Sequence, residues 1–157
     1  MDIELDHARQ DALAFLKRHK TGVLATVGRD YKIQASMVYY VADDDFNIYF
    51  LTLTNSRKFE ALNEHPQVAF TVATDDVPQT LQIEGMAADI SLDEEEKKKK
   101  DALFEILNSN QFYAPISKLD PAGLVMIWIR PTWVRWADYA FEEIGNRHIF
   151  KEIPIIK

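Results

Sequence analysis

The stretch YFLTLTNSRKFEALNEHP, Tyr49 to Pro66, predicts a strand that passes into a short helix within a few residues. Apolar and aromatic residues dominate Tyr49 to Leu53, which is typical of a strand. The next three residues are Thr, Asn and Ser, and each of them caps helices well. The pair His65-Pro66 then ends the helix. The helix start therefore presents unpaired backbone N–H groups directly after a strand.

Two cations, Arg57 and Lys58, open this helix, although a helix N-terminus carries partial positive charge and favours Asp or Glu. One interpretation is that the Ser56 hydroxyl, both cations and the N–H groups form a phosphate site. A bound phosphate would make the cations favourable instead of costly. The alternative is that both side chains point into solvent, which costs only a few tenths of a kcal/mol. The spacing alone leaves both interpretations open.

The composition predicts one soluble globular domain over residues 1–157, with 47% hydrophobic and 27% charged residues. Cysteine is absent, which excludes disulfides, thiol nucleophiles and thiolate metal sites. The formal charge of −7 argues against a nucleic-acid partner, because such partners require many cations. An acidic start and the lack of a long apolar stretch predict neither a signal peptide nor a membrane span. A cytoplasmic location is therefore expected.

Hydrophobic periodicity predicts about seven strands and two or three helices joined by short turns. Helices are expected over about residues 5–20, over 56–64, and after a capping box of Ser91 and Glu94. Strands are expected at 23–27, 33–42, 46–53, 67–74, 79–90, 124–131 and 132–139. Gly85 is expected at a bulge, and the tail 140–157 remains unassigned. Because the strands are sequentially adjacent, we expect a mainly β fold, an antiparallel sheet or barrel with peripheral helices.

Several other features favour structural over chemical roles. The four histidines, His7, His19, His65 and His148, show no metal-ligand spacing. The sequence has neither a nucleophile elbow nor a glycine-rich nucleotide loop. The acidic runs at 43–45 and 75–76 are typical of solvated turns. The four lysines at 97–100 follow glutamates and are typical of a solvated helical face.

The order of these segments resembles the pyridoxamine 5′-phosphate oxidase-like flavoproteins over roughly residues 8–139. In that family a strand ending in Thr is followed, four residues on, by Ser-Arg-Lys, a short helix, Asn-Pro and another strand. The corresponding residues here are Thr52, Ser56-Arg57-Lys58 and His65-Pro66, followed by QVAFTV. The resemblance implies an antiparallel split β-barrel homodimer that holds FMN in clefts between its subunits. Continuous apolar strands such as Val23 to Val27 also favour an oligomer.

The resemblance also implies a set of residues that would contact FMN. They are Thr52, Ser56, Arg57, Lys58, Met37, Val38, Tyr39, Gln82 and Trp136. The first four would hold the phosphate and the ribityl chain, and the next three would pass along the isoalloxazine ring. The partner subunit would contribute the last two, Gln82 from the region 79–82 and Trp136 from the last strand. For the residues on strands, ordinary packing in the barrel is the alternative.

Two departures from the family argue against oxidation of pyridoxamine phosphate itself. Basic residues of the second strand are replaced by Ser36 and Val41, and the C-terminal Arg-x-His is reduced to Arg135 without its histidine. The first hypothesis is therefore an FMN-dependent oxidoreductase or flavin reductase that acts on another small molecule. The second is a non-catalytic flavin- or haem-binding protein, since some relatives of this fold bind haem or a deazaflavin. His148 would be the axial ligand of haem. A third hypothesis is a structural dimer with an empty cleft.

Overall fold

The computed structural model describes residues 3–108, 123–140 and 149–155. His148, the candidate haem ligand, lies outside the described residues. The helices are α1 (Ile3–Arg18), α2 (Arg57–Glu64) and α3 (Lys97–Asn108), with a 3-10 turn at Arg29–Tyr31. The strands are β1 (Thr21–Val27), β2 (Ile33–Tyr39), β3 (Val41–Ala42), β4 (Ile48–Leu53), β5 (Gln67–Thr74), β6 (Gln79–Asp89), β7 (Leu124–Asp138) and β8 (Phe150–Glu152).

The strands form one antiparallel sheet in the order β2-β1-β5-β6-β7-β4-β3, and β8 pairs with β7. Only Tyr40 separates β2 from β3, so the first and last strands of this order are continuous along the chain. The sheet therefore curls into a closed barrel of six strands, with β2 and β3 sharing one wall. The predicted mainly β fold, an antiparallel split barrel with peripheral helices, is confirmed.

Alternate side chains of the strands fill the barrel, and α1 and α2 pack against this interior. Phe15 and Leu16 of α1 and Leu62 of α2 belong to the same buried cluster as the inward strand residues. The hydroxyl of Tyr40 donates a hydrogen bond to the Leu16 carbonyl at 2.6 Å, which fixes α1 against the wall that β2 and β3 share. Each fully buried large side chain contributes about 1.5–3 kcal/mol to stability.

The predicted bulge at Gly85 is confirmed, and it lies opposite the junction of the two strands predicted at 124–131 and 132–139. The pairing register of β6 and β7 shifts between Glu84 and Gly85, where Gly85 faces Pro131. A Cβ atom at Gly85 would lie 2.5 Å from the backbone oxygen of Arg130, so only glycine fits there. Thr132 is the extra residue on β7, and the two predicted strands join into one strand around it.

The capping box predicted at Ser91 does not form, and α3 begins six residues later at Lys97. The Ser91 hydroxyl instead donates to Asp89 at 2.6 Å and accepts from the backbone N–H of Met126 at 2.7 Å. These bonds tie the end of β6 to β7. The glutamates at 94–96 precede α3. An ion pair joins Glu96 to Lys99, three residues on, with a distance of 2.8 Å.

Part of the unassigned tail forms β8, which pairs with the second half of β7. The following residue, Ile153, is buried in the barrel cluster, and its N–H donates to the Val134 carbonyl at 2.9 Å. In the first half of β7 the same edge pairs with β4. The tail therefore covers the edge of β7 that β4 leaves unpaired.

Stability is expected to fall in mild acid because of His19, which follows α1. Its ring lies 4.4 Å from the ring of Phe15, and its Nε2 is buried without a hydrogen-bond partner in the described chain. Burial, and then the charge of Arg18, lower the pKa of His19 below 6.5. The unfolded chain therefore binds the extra proton first, so this contribution to stability declines as the pH drops below about 6.5. His19→Gln should flatten the decline in urea unfolding between about pH 7.5 and pH 5, and an unchanged slope would contradict this.

Candidate functional site

The strand pairing of the barrel is interrupted between β2 and β4, and we call this place the seam. β3 pairs with β4, and the pairing stops at Val41. Continued along the strands, the same register would put Val38 opposite Thr52. In the described part of the chain, however, β2 pairs only with β1. Peptide groups at an unpaired strand edge are hydrogen-bond donors and acceptors that a ligand can use.

The predicted helix cap lies at the end of β4, at one end of the seam. Ser56 has extended backbone geometry, and its Oγ accepts a hydrogen bond from the N–H of Phe59 at 3.1 Å. The same Oγ lies 2.9 Å from Oγ1 of Thr52, which is buried. The predicted cap is therefore present, and Thr52 and Ser56 place two hydroxyl groups at the first turn of α2.

Two cations stand beside these hydroxyl groups. Arg57 is exposed, whereas Lys58 is half-buried. Burial lowers the pKa of Lys58 because a desolvated ammonium group is less stable. Within the described residues, neither side chain forms an ion pair. This end of the seam therefore carries two cations that form no ion pair within the described chain, with Glu60 as the acidic residue of the same first turn.

The three β2 residues predicted to line the cofactor differ in direction. Met37 points outward and is 63% exposed, while Val38 points inward and belongs to the barrel cluster. Tyr39 is half-buried and packs against a small cluster outside the barrel. Met37 and Tyr39 can therefore offer side chains to a ligand at the seam, whereas Val38 packs in the barrel and its peptide groups pair with β1.

The two residues predicted to come from a partner subunit lie on opposite faces of the sheet. Gln82 faces outward, and its Oε1 accepts a hydrogen bond from Nε of Arg135 at 3.0 Å. Trp136 faces inward, with its ring 4.9 Å from Phe15 and only 4% of its surface exposed. The structure thus places Trp136 within the barrel cluster, which is the packing alternative that the sequence left open.

Arg135 forms an outward group that is absent from the predicted cofactor contacts. Its guanidinium lies 4.8 Å from the ring of Phe150 and 5.4 Å from that of Trp133. The alternation of side chains along a strand is the signal that could have separated Arg135 from Trp136, since neighbours point to opposite faces. The dependence on Phe150 could not be foreseen, because β8 was not predicted.

Outward residues form a continuous row across the sheet. The pairing registers align Met37, Val23, Thr71, Gln82 and Arg135 in that order. Neighbouring strands lie about 4.8 Å apart, so Met37 and Gln82 are separated by about 14 Å within one chain. Gln82 and Met37 of the same chain therefore cannot both touch one ring system at the seam.

Among the residues that the structure describes, no three His, Asp or Glu side chains are close enough to share a metal ion. In the same part of the chain, no helix is both long enough and apolar enough to span a membrane.

This fold is an antiparallel split β-barrel, and its sequence carries the corresponding family pattern. Residues 8–137 match the family model described as "Pyridoxamine 5′-phosphate oxidase". Because the match spans most of the chain, the protein belongs to the pyridoxamine 5′-phosphate oxidase-like family. A search of curated proteins gives no significant match.

Solved structures with different cofactors in their names share the fold. An FAD-binding protein from Mesorhizobium loti is 17% identical with a TM-score of 0.64, and the match covers 80% of this chain and 88% of that one. An F420 reductase is 24% identical with a TM-score of 0.61, covering 77% and 93% of the two chains. A haem-binding protein from Mycobacterium smegmatis is 16% identical with a TM-score of 0.65, covering 97% and 58%. At these identities the likeness shows the fold alone.

Proposed function

We propose that the protein binds FMN at the seam and acts as an FMN-dependent oxidoreductase on a small molecule. The observation that carries the proposal is the group of hydroxyls, cations and helix N–H groups at one end of the seam. Bound FMN would supply hydride or electron transfer, while the protein supplies position, electrostatics and access. This assignment does not extend to oxidation of pyridoxamine phosphate, because Arg135 lacks the family's histidine two residues on.

The phosphate end of the seam fits a dianion. Thr52 and Ser56 offer hydroxyl groups, and α2 offers the N–H groups of its first turn. Arg57 and Lys58 offer charge, and the negative charge of a bound phosphate would favour the charged form of Lys58, opposing the burial that lowers its pKa. Hydrogen bonds to charged groups contribute about 1.5–3 kcal/mol each. The cations that are unfavourable at a bare helix start thereby become favourable.

The other end of the seam fits a flat, partly polar ring. The edge of β2 that faces β4 offers the peptide donor and acceptor of Met37, because the peptide groups of its neighbour Val38 pair with β1. Polar atoms along one edge of an isoalloxazine ring can bond to such groups. The Met37 thioether is soft and adaptable, which suits contact with an aromatic face. The proposed set therefore comprises Thr52, Ser56, Arg57, Lys58, Met37 and Tyr39.

We further propose that the protein works as a homodimer. The outer face of β1 and β2 exposes apolar side chains, with Ile33 78% and Val23 48% exposed beside Met37. A contiguous apolar face of this kind marks an interaction surface. Packing this face against a second copy would bring the partner's Gln82 toward the seam. Within one chain Gln82 cannot reach the seam, because about three strand spacings, or about 14 Å, separate it from Met37. Trp136 is left out of the proposed contacts because its ring faces the barrel interior.

An Ile33→Glu variant is expected to dissociate the dimer, because a charge would be buried in an apolar contact. Light scattering after gel filtration should give twice the chain mass for the wild type and one chain mass for the variant at micromolar concentration. Leu92→Glu is the matched control, since Leu92 is 97% exposed and lies on a loop away from β2. A wild-type monomer, or a variant that remains dimeric, would contradict the assignment of this face.

Calorimetric titration with FMN, riboflavin and haem tests the ligand assignment. FMN should bind at least about 100-fold more tightly than riboflavin, because riboflavin lacks the phosphate that two cations would hold. Equal affinity for FMN and riboflavin would contradict the phosphate site. Tight binding of haem without flavin binding would favour the haem alternative, with His148 as the candidate ligand. Tight binding of a deazaflavin over FMN would change the cofactor and leave the seam as its site.

If FMN binds but the protein does not accelerate its reduction by a nicotinamide, a storage or sensing role is favoured over catalysis. The measurement is stopped-flow reduction of the bound flavin under anaerobic conditions, compared with free FMN at the same concentration. Faster reduction in the protein is the expected result for the oxidoreductase. A rate no greater than that of free FMN with every donor tested would favour the non-catalytic hypothesis.

A further inference from the structure

A second cluster lies outside the barrel, where α3 covers β4 and β7. We call it the outer cluster, and its buried members are Tyr49, Leu51, Leu103 and Met126. Leu103 of α3 is fully buried there, while the other described α3 side chains are half-buried or exposed. Leu103 is therefore the buried anchor among the described α3 side chains.

A polar contact one turn before Leu103 adds to this attachment. Nζ of Lys99 donates a hydrogen bond to the hydroxyl of Tyr49 at 2.7 Å and lies 4.2 Å from the centre of its ring. Glu96 lies 2.8 Å from the same nitrogen. The Tyr49 hydroxyl in turn donates to Asp43 at 3.2 Å. Lys99 thus joins α3 to both β4 and the turn that leads into it.

The protonation states of this group favour the contact. Burial, the largest influence, raises the pKa of Tyr49 and keeps its hydroxyl neutral. Burial alone would lower the pKa of Lys99, but its bonds to Glu96 and Tyr49 outweigh burial and raise it. Lys99 therefore stays charged and Tyr49 stays neutral at ordinary pH, as the hydrogen bond requires.

The outer cluster adjoins the seam through Tyr39. Tyr39 is a β2 residue of the proposed ring site, and its side chain packs against the outer cluster. We propose that Tyr49 and Lys99 are positioning residues, which dock α3 so that Tyr39 forms a fixed wall at the ring end of the seam. This inference rests on the proposed function, since it assigns a role to α3 in holding the flavin ring.

A wall at the ring end and a phosphate site should affect the release of FMN and riboflavin differently. A residue that acts on the ring end should change the release of FMN and riboflavin equally, because both carry the same ring. Arg57 and Lys58 should affect FMN alone. The two contributions to binding can therefore be separated by comparing the two flavins.

The test uses Tyr49→Phe, which removes the hydroxyl and keeps the buried ring, and Lys99→Met, which keeps the apolar stem. Lys98→Met is the matched control, because Lys98 is the exposed neighbour on the same helix. Amide hydrogen exchange without flavin should rise about tenfold or more across residues 97–108 in both variants, with β1 and β5 unchanged. Stopped-flow dissociation of FMN and of riboflavin should accelerate by the same factor of about three or more.

The outcomes decide the inference in both directions. Wild-type exchange in α3 of Tyr49→Phe and Lys99→Met would overturn the docking role. Faster α3 exchange with unchanged flavin release, or an effect on FMN alone, would overturn the wall. If the wild type binds neither flavin, the proposed function fails and the wall fails with it, while the exchange result still decides whether Tyr49 and Lys99 dock α3.

Discussion

Replacing Arg57 and Lys58 together with alanine is expected to weaken FMN binding by about 10²- to 10⁴-fold. Two interactions with a phosphate at about 1.5–3 kcal/mol each give a loss of this size. Folding should be nearly unaffected, because neither side chain forms an ion pair in the described structure and Arg57 is exposed. Quenching of FMN fluorescence during titration measures the affinity, and urea unfolding of the same sample measures the stability.

The matched control for this variant is Lys97→Ala with Lys98→Ala. It removes the same two charges from exposed positions on α3, so it corrects for the change in net charge. Its FMN affinity should stay within about threefold of the wild type, since distant exposed charges are screened by salt. An equal loss of FMN affinity in both double variants would mean that long-range electrostatics, and not contact with the phosphate, causes the loss. Unchanged affinity in the Arg57/Lys58 variant would contradict the phosphate site outright.

Trp136→Ala is expected to destabilise the protein by about 3–5 kcal/mol, enough to threaten folding of a domain this size. The indole is 4% exposed and lies 4.9 Å from the ring of Phe15, so the truncation would leave a cavity between α1 and the barrel. Urea unfolding followed by circular dichroism measures the loss. A cost below about 1 kcal/mol would contradict the assignment of Trp136 to the barrel interior.

Trp136→Phe separates packing from cofactor binding, because it keeps an aromatic ring and should remain folded. If Trp136 acts only in packing, its FMN affinity should stay within a few-fold of the wild type despite a lower stability. Loss of FMN binding with full stability would instead place the indole at the cofactor. Measuring both quantities on one preparation keeps the two interpretations distinct.

Local patterns predicted much of the fold. The strand that leads through Ser56 into α2 was recognised because capping depends on a few adjacent residues. The bulge at Gly85 was recognised because an isolated glycine in a strand has few other roles. The antiparallel pairing followed from short connections between successive strands. In each case the signal is a short stretch of sequence, even where the contacts are distant, as between Gly85 and Pro131.

The remaining features depend on contacts between distant segments. The hydroxyl of Ser91 caps no helix because Asp89 and the backbone of Met126 compete for it. The two predicted late strands join into β7, which takes up the extra residue Thr132 opposite Glu84 and Gly85. The helix cap at Ser56 forms as predicted, because the helix start itself is the signal. The inward direction of Trp136 is set by the register of β6 and β7, which local patterns do not show.

The most direct test of FMN binding is the visible absorption spectrum of the purified protein, taken before and after FMN is added and excess is removed by gel filtration. Retained bands near about 370 and 450 nm, at about one flavin per chain, are the expected result. Absence of any retained flavin would contradict the proposed function and leave the split barrel without its cofactor. A sharp band near about 400 nm in the protein as purified would contradict it equally, and would make haem the ligand.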